Sequence, residues 1–257
     1  EVGGGKHYRR IDGYIGKWEL VKSIHNPSIV NNPCVRGLIS DDEICVVDVD
    51  EDSYNMYVTN ISTEHTHKVI EGGSSMYITS CAPIDSNVIV CGKWRGDCTG
   101  DSLDGYITLY DRQWKVIRDI SIPRKSKVAE VYVDVDRDGM ILAAQRYQYH
   151  IYVINPANGA IVNTLLSAPG EMVLGEIRAL SSGDIVVRTA HNEFTVITRS
   201  GEYRTSTTSD GWFDSSCSVD ILTDTLYLAY RHPYCELEAV DQVSCDGITQ
   251  PRIASIV

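Results

Sequence analysis

The chain has 257 residues, 35 acids against 23 Lys and Arg, and a formal net charge of -12. A chain this long buries roughly three quarters of its unfolded surface without a disulfide scaffold, and 43% hydrophobic with 23% charged residues is not a disordered composition. The acidic balance disfavours indiscriminate binding to nucleic acid or an anionic membrane, and no apolar run approaches the ~18–20 residues of a membrane span.

In chain order, Glu1 and Gly3-Gly4-Gly5 suggest a flexible lead-in over residues 1–7, with no apolar leader behind it and the look of a piece cut from a longer chain. Two strands are expected next, Tyr8–Ile15 and Trp18–Ile24. From there helical periodicity is almost absent. Runs of 4–8 residues rich in Val, Ile, Tyr and Thr recur, bounded by Asp, Gly, Asn and Ser. The first copy is Gly37–Val47 with Tyr57–Asn60, the second Ile84–Val90 with Gly105–Asp111. The third is Val131–Ala144 with His150–Gly159, the fourth Ile177–Arg188 with Glu193–Gly201, and the fifth Asp220–Tyr230 with Glu236–Val240. Their second-strand centres, Val46, Ile89, Leu142, Val186 and Tyr227, are spaced by 43, 53, 44 and 41 residues. Four strands per ~40–45 residues is the unit of a β-propeller, in which each blade needs neighbours to bury its two faces. The fold expected is therefore all-β, a single propeller over residues 8–257 with four-stranded blades. Five blades plus the leading half blade point to six, with five as the alternative.

The eight cysteines form no C-x-x-C pair, so zinc-ribbon and RING-type sites are not encoded. Cys45 and Cys91 sit in apolar runs, where a reduced Cys acts as a small hydrophobe. Reduced, cytoplasmic cysteines are expected, although Cys91–Cys98 and Cys235–Cys245 are near enough in sequence to pair. The sequon Asn60-Ile61-Ser62 is too common by chance to place the chain outside the cell.

Asp134-Val-Asp-Arg-Asp-Gly139 opens like a Ca²⁺ loop, but its twelfth position is Gln145 rather than a bidentate Glu, and strands flank it. A hairpin turn is expected instead. Arg95-Gly96-Asp97 spells an integrin tripeptide, which is too short to inform. It lies in the longest expected loop, Lys93–Asp104, and long loops on rigid scaffolds often carry function. His65 and His67 share a strand face without a nearby third ligand and are expected to be solvated. No cofactor is expected: no phosphate loop and no G-x-S-x-G elbow occurs.

Polar residues divide by rim. In an up-and-down blade the first and third turns share one rim, the middle turn and the blade-to-blade connection the other. The first turns hold Asp41, Asp42, Glu43, Asp85, Asp136, Asp138, Asp184 and Asp224 against Arg137. The opposite rim carries Lys93, Arg95, Arg146, Arg188 and Arg231, with His191 and His232, beside Trp94, Tyr147, Tyr149 and Tyr234. The connections add Arg124, Lys125, Lys127, Trp212 and Phe213. Exposed Arg and aromatics together are the usual composition of a binding hot spot. Glu130, Glu176 and Asp214 fall near the starts of successive innermost strands, which leaves open a carboxylate metal site and a hydrolase of the lactonase type. An extracellular carbohydrate-binding or adhesive propeller is a further alternative.

The run Tyr132-Val-Asp-Val-Asp-Arg-Asp-Gly-Met-Ile-Leu-Ala-Ala144 resembles the NHL repeat, in which a strand, an Asp-x-Asp-Gly turn and a second strand recur in each blade. The blade style is similar to the C-terminal propeller of TRIM-type proteins, most closely in the third and fourth copies. The Asn-His-Leu triplet that names the repeat is absent: the matching places read Gln148-Tyr-His-Ile151 and Ala190-His-Asn-Glu193. The resemblance implies a non-catalytic recognition propeller that binds a protein, or single-stranded RNA, as the substrate-recognition part of a TRIM-type ubiquitin ligase.

Overall fold

The computed structural model describes residues 4–10, 18–25, 33–49, 54–72, 76–95, 104–123, 130–167, 172–173, 175–190, 193–208, 216–220, 225–231, 238–244 and 254–256, with side chains described only within 36–203. All regular elements among them are strands. β1 (Gly4–Arg10) and β2 (Trp18–His25) form a two-stranded sheet. Strand pairing thus starts at Gly4, inside the expected flexible lead-in, because the ladder to β2 supplies hydrogen bonds that composition alone does not reveal.

Four-stranded antiparallel meanders follow. The first is β3 (Pro33–Ser40), β4 (Glu43–Val49), β5 (Tyr54–Asn60) and β6 (Thr66–Gly72). The second is β7 (Met76–Pro83), β8 (Val88–Arg95), β9 (Asp104–Asp111) and β10 (Val116–Ser121). The third is β11 (Val131–Val135), β12 (Ile141–Gln145), β13 (His150–Ile154) and β14 (Ile161–Leu166). The fourth is β15 (Ile177–Ala179), β16 (Ile185–Ala190), β17 (Glu193–Ile197) and β18 (Tyr203–Thr208). β19 (Ser216–Asp220), β20 (Thr225–Arg231), β21 (Glu238–Ser244) and β22 (Ala254–Ile256) make a further sheet, described by its strands alone. These are the blades of an all-β propeller. Four are described to their side chains, against the six, or alternatively five, that the repeat spacing suggests.

Two compact units are present, Glu1–Arg9 with Leu20–Val133 and Arg10–Glu19 with Asp134–Val257. In the first, blades one and two enclose a core of Ile39, Cys45, Val47, Tyr54, Met56, Val58, Ile78, Cys81, Ile89, Cys91 and Tyr110. Cys81 faces Cys91 directly across the β7–β8 ladder, while Cys98, Cys235 and Cys245 lie outside the described residues. Cys45, Cys81 and Cys91 are buried free thiols, and burial pushes the Cys81 thiol well up.

Polar side chains fasten the first strands β7, β11 and β15 to the blade before. The Tyr54 hydroxyl accepts from the Ile78 amide at 2.6 Å and donates to the Ile78 carbonyl at 3.2 Å. Thr79 Oγ1 donates to the Val131 carbonyl, and Ser80 Oγ accepts from the Val133 amide at 2.7 Å. In the second unit, half-buried Asp134 accepts from the Ala179 amide at 2.8 Å. The blades approach too closely for a side chain at two glycines. A Cβ on Gly37 would land on the Cys81 carbonyl, and one on Gly92 on the Val131 carbonyl.

The expected hairpin turn at Asp134–Gly139 is present. Asp136 Oδ1 accepts from the amides of Asp138 and Met140, each at 2.9 Å, and Gly139 takes φ 75°. Asp85 and Asp111 cap their turns in the same way. Asp85, Asp111 and Asp136 of this rim are therefore committed to local amides, and arginines of the third turns lie among its acids. Arg112 donates to the carbonyls of Ile39, Asp85 and Ser86 and sits 3.8 Å from Glu43, while Arg199 pairs with Asp136 and Asp138.

Gly92→Ala should lower stability by about 3 kcal/mol, the upper range for forcing extra volume into a packed interior, as read by urea denaturation. Desolvation holds the Asp134 carboxyl above the usual carboxylate range, opposed by Arg178 and the Ala179 amide. A raised folded value means stability that is full below the unfolded carboxylate value of about 4 and is lost as pH rises through the folded one. The stability of Asp134→Asn relative to the unsubstituted chain should therefore improve from pH 4 to pH 7. Movement the other way would show that the Arg178 contact outweighs burial.

Candidate binding rim

The middle turn of blade three brings together the most residues expected at the rim. β12 ends at Gln145, and Arg146, Tyr147, Gln148 and Tyr149 lead into β13. Gln148 anchors the turn: it is buried, its amide donates to the Gln145 carbonyl at 3.1 Å, and its Nε2 donates to the Tyr147 carbonyl at 3.0 Å. The Tyr147 amide donates to the Val173 carbonyl, and the Val173 amide returns a bond to the Gln148 carbonyl, both at 2.7 Å. The Ser167 amide donates to the Tyr149 carbonyl at 2.8 Å. Both tyrosine rings stand out from this scaffold, Tyr147 38% and Tyr149 40% exposed. The Arg146 guanidinium lies over the Tyr147 ring, 4.9 Å from its centroid.

Tyr147 holds φ 60°, a left-handed conformation costing a non-glycine residue about 1–2 kcal/mol. The two-way bond to Val173 and the Gln148 anchor hold it there, and the result is an outward-turned aromatic. Such strain is retained where surrounding structure over-determines it, often at ligand clamps.

Arg188 lies near the end of β16, its amide bonded to the Glu176 carbonyl at 3.0 Å and its side chain passing 3.5 Å from where a Cβ on Gly175 would stand. Arg95 ends β8, is exposed, and pairs in register with Asp104. Arg231 ends β20 opposite Glu238, its side chain outside the described set. His191, Trp212, His232, Tyr234 and Asp214 lie outside the described residues.

Lys93 and Trp94 are placed elsewhere. The β8–β9 ladder continues through Lys93↔Tyr106 and Trp94↔Gly105 to Arg95↔Asp104, so the expected loop from Lys93 is strand at both ends. Period-two alternation then carries Lys93 to the same face as Cys91 and Ile89, and it is only 3% exposed. Trp94 stacks on its cross-strand neighbour Tyr77, centroids 4.5 Å apart, and Tyr77 meets Tyr54 edge-on. Polarity in a sequence marks a rim only where the strand actually ends.

Of the candidate metal carboxylates, Glu130 accepts from the Tyr132 hydroxyl at 2.8 Å, and Glu176 precedes β15 with its carbonyl bonded to Arg188. Among the described residues, no three His, Cys, Asp or Glu side chains group closely enough to hold a metal ion. His65 and His67 are exposed and stacked on each other, centroids 5.8 Å apart.

No family model matches the chain, and no curated protein matches it in sequence. Solved structures do. A protein of unknown function from Bacteroides caccae shares the fold with a TM-score of 0.61 and 11% identity, covering 98% of this chain and 91% of its own. A catalytically inactive H270A virginiamycin B lyase from Staphylococcus aureus, solved with quinupristin, aligns with a TM-score of 0.55 and 12% identity over 96% of this chain and 73% of its own. At these identities the likeness shows a common fold, and the lyase's activity does not carry over with it.

Replacing Tyr147 by Ala and by Gly removes the same ring, but only Gly is relieved of the left-handed penalty. Tyr147→Gly should be more stable than Tyr147→Ala by about 1 kcal/mol in urea denaturation.

Proposed function

We propose that this propeller is a non-catalytic recognition module whose rim, centred on the Arg146–Tyr149 turn, binds a protein partner. The observation that carries the reading is the turn itself: two exposed tyrosines and a stacked arginine on backbone anchored by Gln148 and Val173. Tyrosine and arginine supply large contact area at low conformational cost when held in place beforehand. Protein is favoured over single-stranded RNA because the chain carries net charge -12, which repels a polyanion beyond the reach of a few rim arginines. The resemblance of residues 132–144 to the NHL repeat extends the reading to the substrate-recognition part of a cytoplasmic TRIM-type ubiquitin ligase. A RING and B-box in the parent sequence would support that extension, and a secretory leader would end it.

Changing Arg146, Arg188 and Arg231 together to Glu tests the rim. A photo-crosslinker at position 149 should join the unsubstituted domain to one discrete protein, and the triple variant, equally stable to urea, should lose that adduct. Adducts unchanged in the triple variant would refute the rim assignment. Oligouridine retained by the unsubstituted domain with no protein adduct would replace protein by RNA.

A further inference from the structure

Within the first unit a cavity of about 430 Å³ opens beside blade two, lined by Lys93, Tyr106, Tyr110, Trp114 and Asp119, with Val69, Ile70, Met76 and Val116 as apolar wall. Its volume falls within the range of small-molecule sites, and Val116, 51% exposed, brings it to the surface. Lys93 is set into the wall with unusual partners for an ammonium. Its Nζ donates to the Tyr110 hydroxyl and lies 4.6 and 5.7 Å from the ring centroids of Tyr110 and Tyr106. Asp119, across the same cavity, accepts from the Thr108 hydroxyl at 2.6 Å.

Trp114 adds a second, independent observation. In the third turn its amide donates to the Asp111 carbonyl, as the Gly201 amide does to Thr198 in blade four, and both residues take positive φ. Where blade four uses glycine, blade two holds a tryptophan at φ 61° and lays its ring against Tyr110 as a wall of the cavity. Glu64 in the third turn of blade one takes φ 60° as well, so the conformation belongs to the turn, and what is particular to blade two is the indole it places against the cavity.

We infer that this cavity is a site for a small neutral aldehyde or ketone with a compact apolar body, which Lys93 captures as an imine. The Asp119 carboxylate disfavours an anionic ligand, a cationic one would compete with protonation of Lys93, and the apolar wall suits a short hydrocarbon body. Burial lowers the affinity of Lys93 for its proton, and Tyr110 already contacts the amine. In the step, the deprotonated Nζ attacks the carbonyl carbon and the C–N bond forms. The carbonyl π pair moves to oxygen, which is protonated. The nitrogen then gives up a proton, and the hydroxyl takes a second proton and leaves as water while the nitrogen lone pair closes the C=N bond. The iminium loses its remaining N–H proton, with Tyr110 and Asp119 lining the cavity as proton carriers. One water is released for each carbonyl bound, and no oxidant or reductant takes part.

The test uses the folded chain with butanal as probe and cyanoborohydride to fix the imine, followed by peptide mapping. Lys93 should be alkylated at least about tenfold faster than exposed Lys68 and Lys115, as expected for a desolvated amine with acid–base neighbours. Asp119→Asn should slow labelling of Lys93 alone, with the labelling of Lys68 and Lys115 and the urea midpoint unchanged. Lys93→Arg should lose the adduct. Lys93 labelled no faster than Lys68 and Lys115 in the unsubstituted chain would overturn the inference, whatever the variants do. The rim reading stands or falls separately, since none of these residues belongs to the blade-three turn.

Discussion

The first strand of a blade has a partner strand on one side only, and its free backbone groups lie where water is scarce. An unmatched buried amide or carbonyl costs more than a typical hydrogen bond contributes, so this edge sets the terms for the fold. Blades two, three and four meet them with a side chain from the blade before: Tyr54 for Ile78, Thr79 and Ser80 for β11, Asp134 for Ala179. The contacts also fix blade spacing, because a side chain reaching a backbone amide at 2.6–2.8 Å leaves no room for slack. Gly37 and Gly92 follow from the same closeness. Asp134 is the charged one of these fastenings: desolvation disfavours its carboxylate, and Arg178 and the Ala179 amide offset part of that cost.

Given that spacing, the first-turn rim is largely structural. Its aspartates hold turn amides, and Arg112 and Arg199 bring the compensating charge from third turns that the sequence places far away. The net charge of -12 therefore describes the long-range field of the chain, while the local charge of each rim is set by these pairings. The apparent opposition of an acidic and a basic rim is weaker than counting the first turns against Arg137 suggests.

Two aromatic residues stand in left-handed backbone, Tyr147 and Trp114. At each, glycine would be the easier choice, and at each the ring has a place in the surface: Tyr147 outward beneath Arg146, Trp114 across the mouth of the Lys93 cavity. Neither feature has a sequence signature, because a residue's φ is imposed by the turn around it. The most useful hint available was misleading in one case: Lys93-Trp94-Arg95 reads as a basic aromatic loop, yet the β8–β9 ladder runs on and turns Lys93 and Trp94 inward.

The sequence by itself determined the all-β class, the four-stranded blade, the Asp–Gly turn at 136–139 and the burial of Cys45 and Cys91, since alternation, turn chemistry and repeat length are local properties. It also placed the Arg146–Tyr149 turn at the end of a second strand, where the rim reading begins. Only the tertiary structure decided which polar residues are fastenings, which are turn caps and which face a cavity. Those roles depend on the next blade: Asp134 is a fastening because Ala179 is there to donate to it. Lys93, likewise, faces phenol rings because strand pairing outlasts the apolar run that announced it.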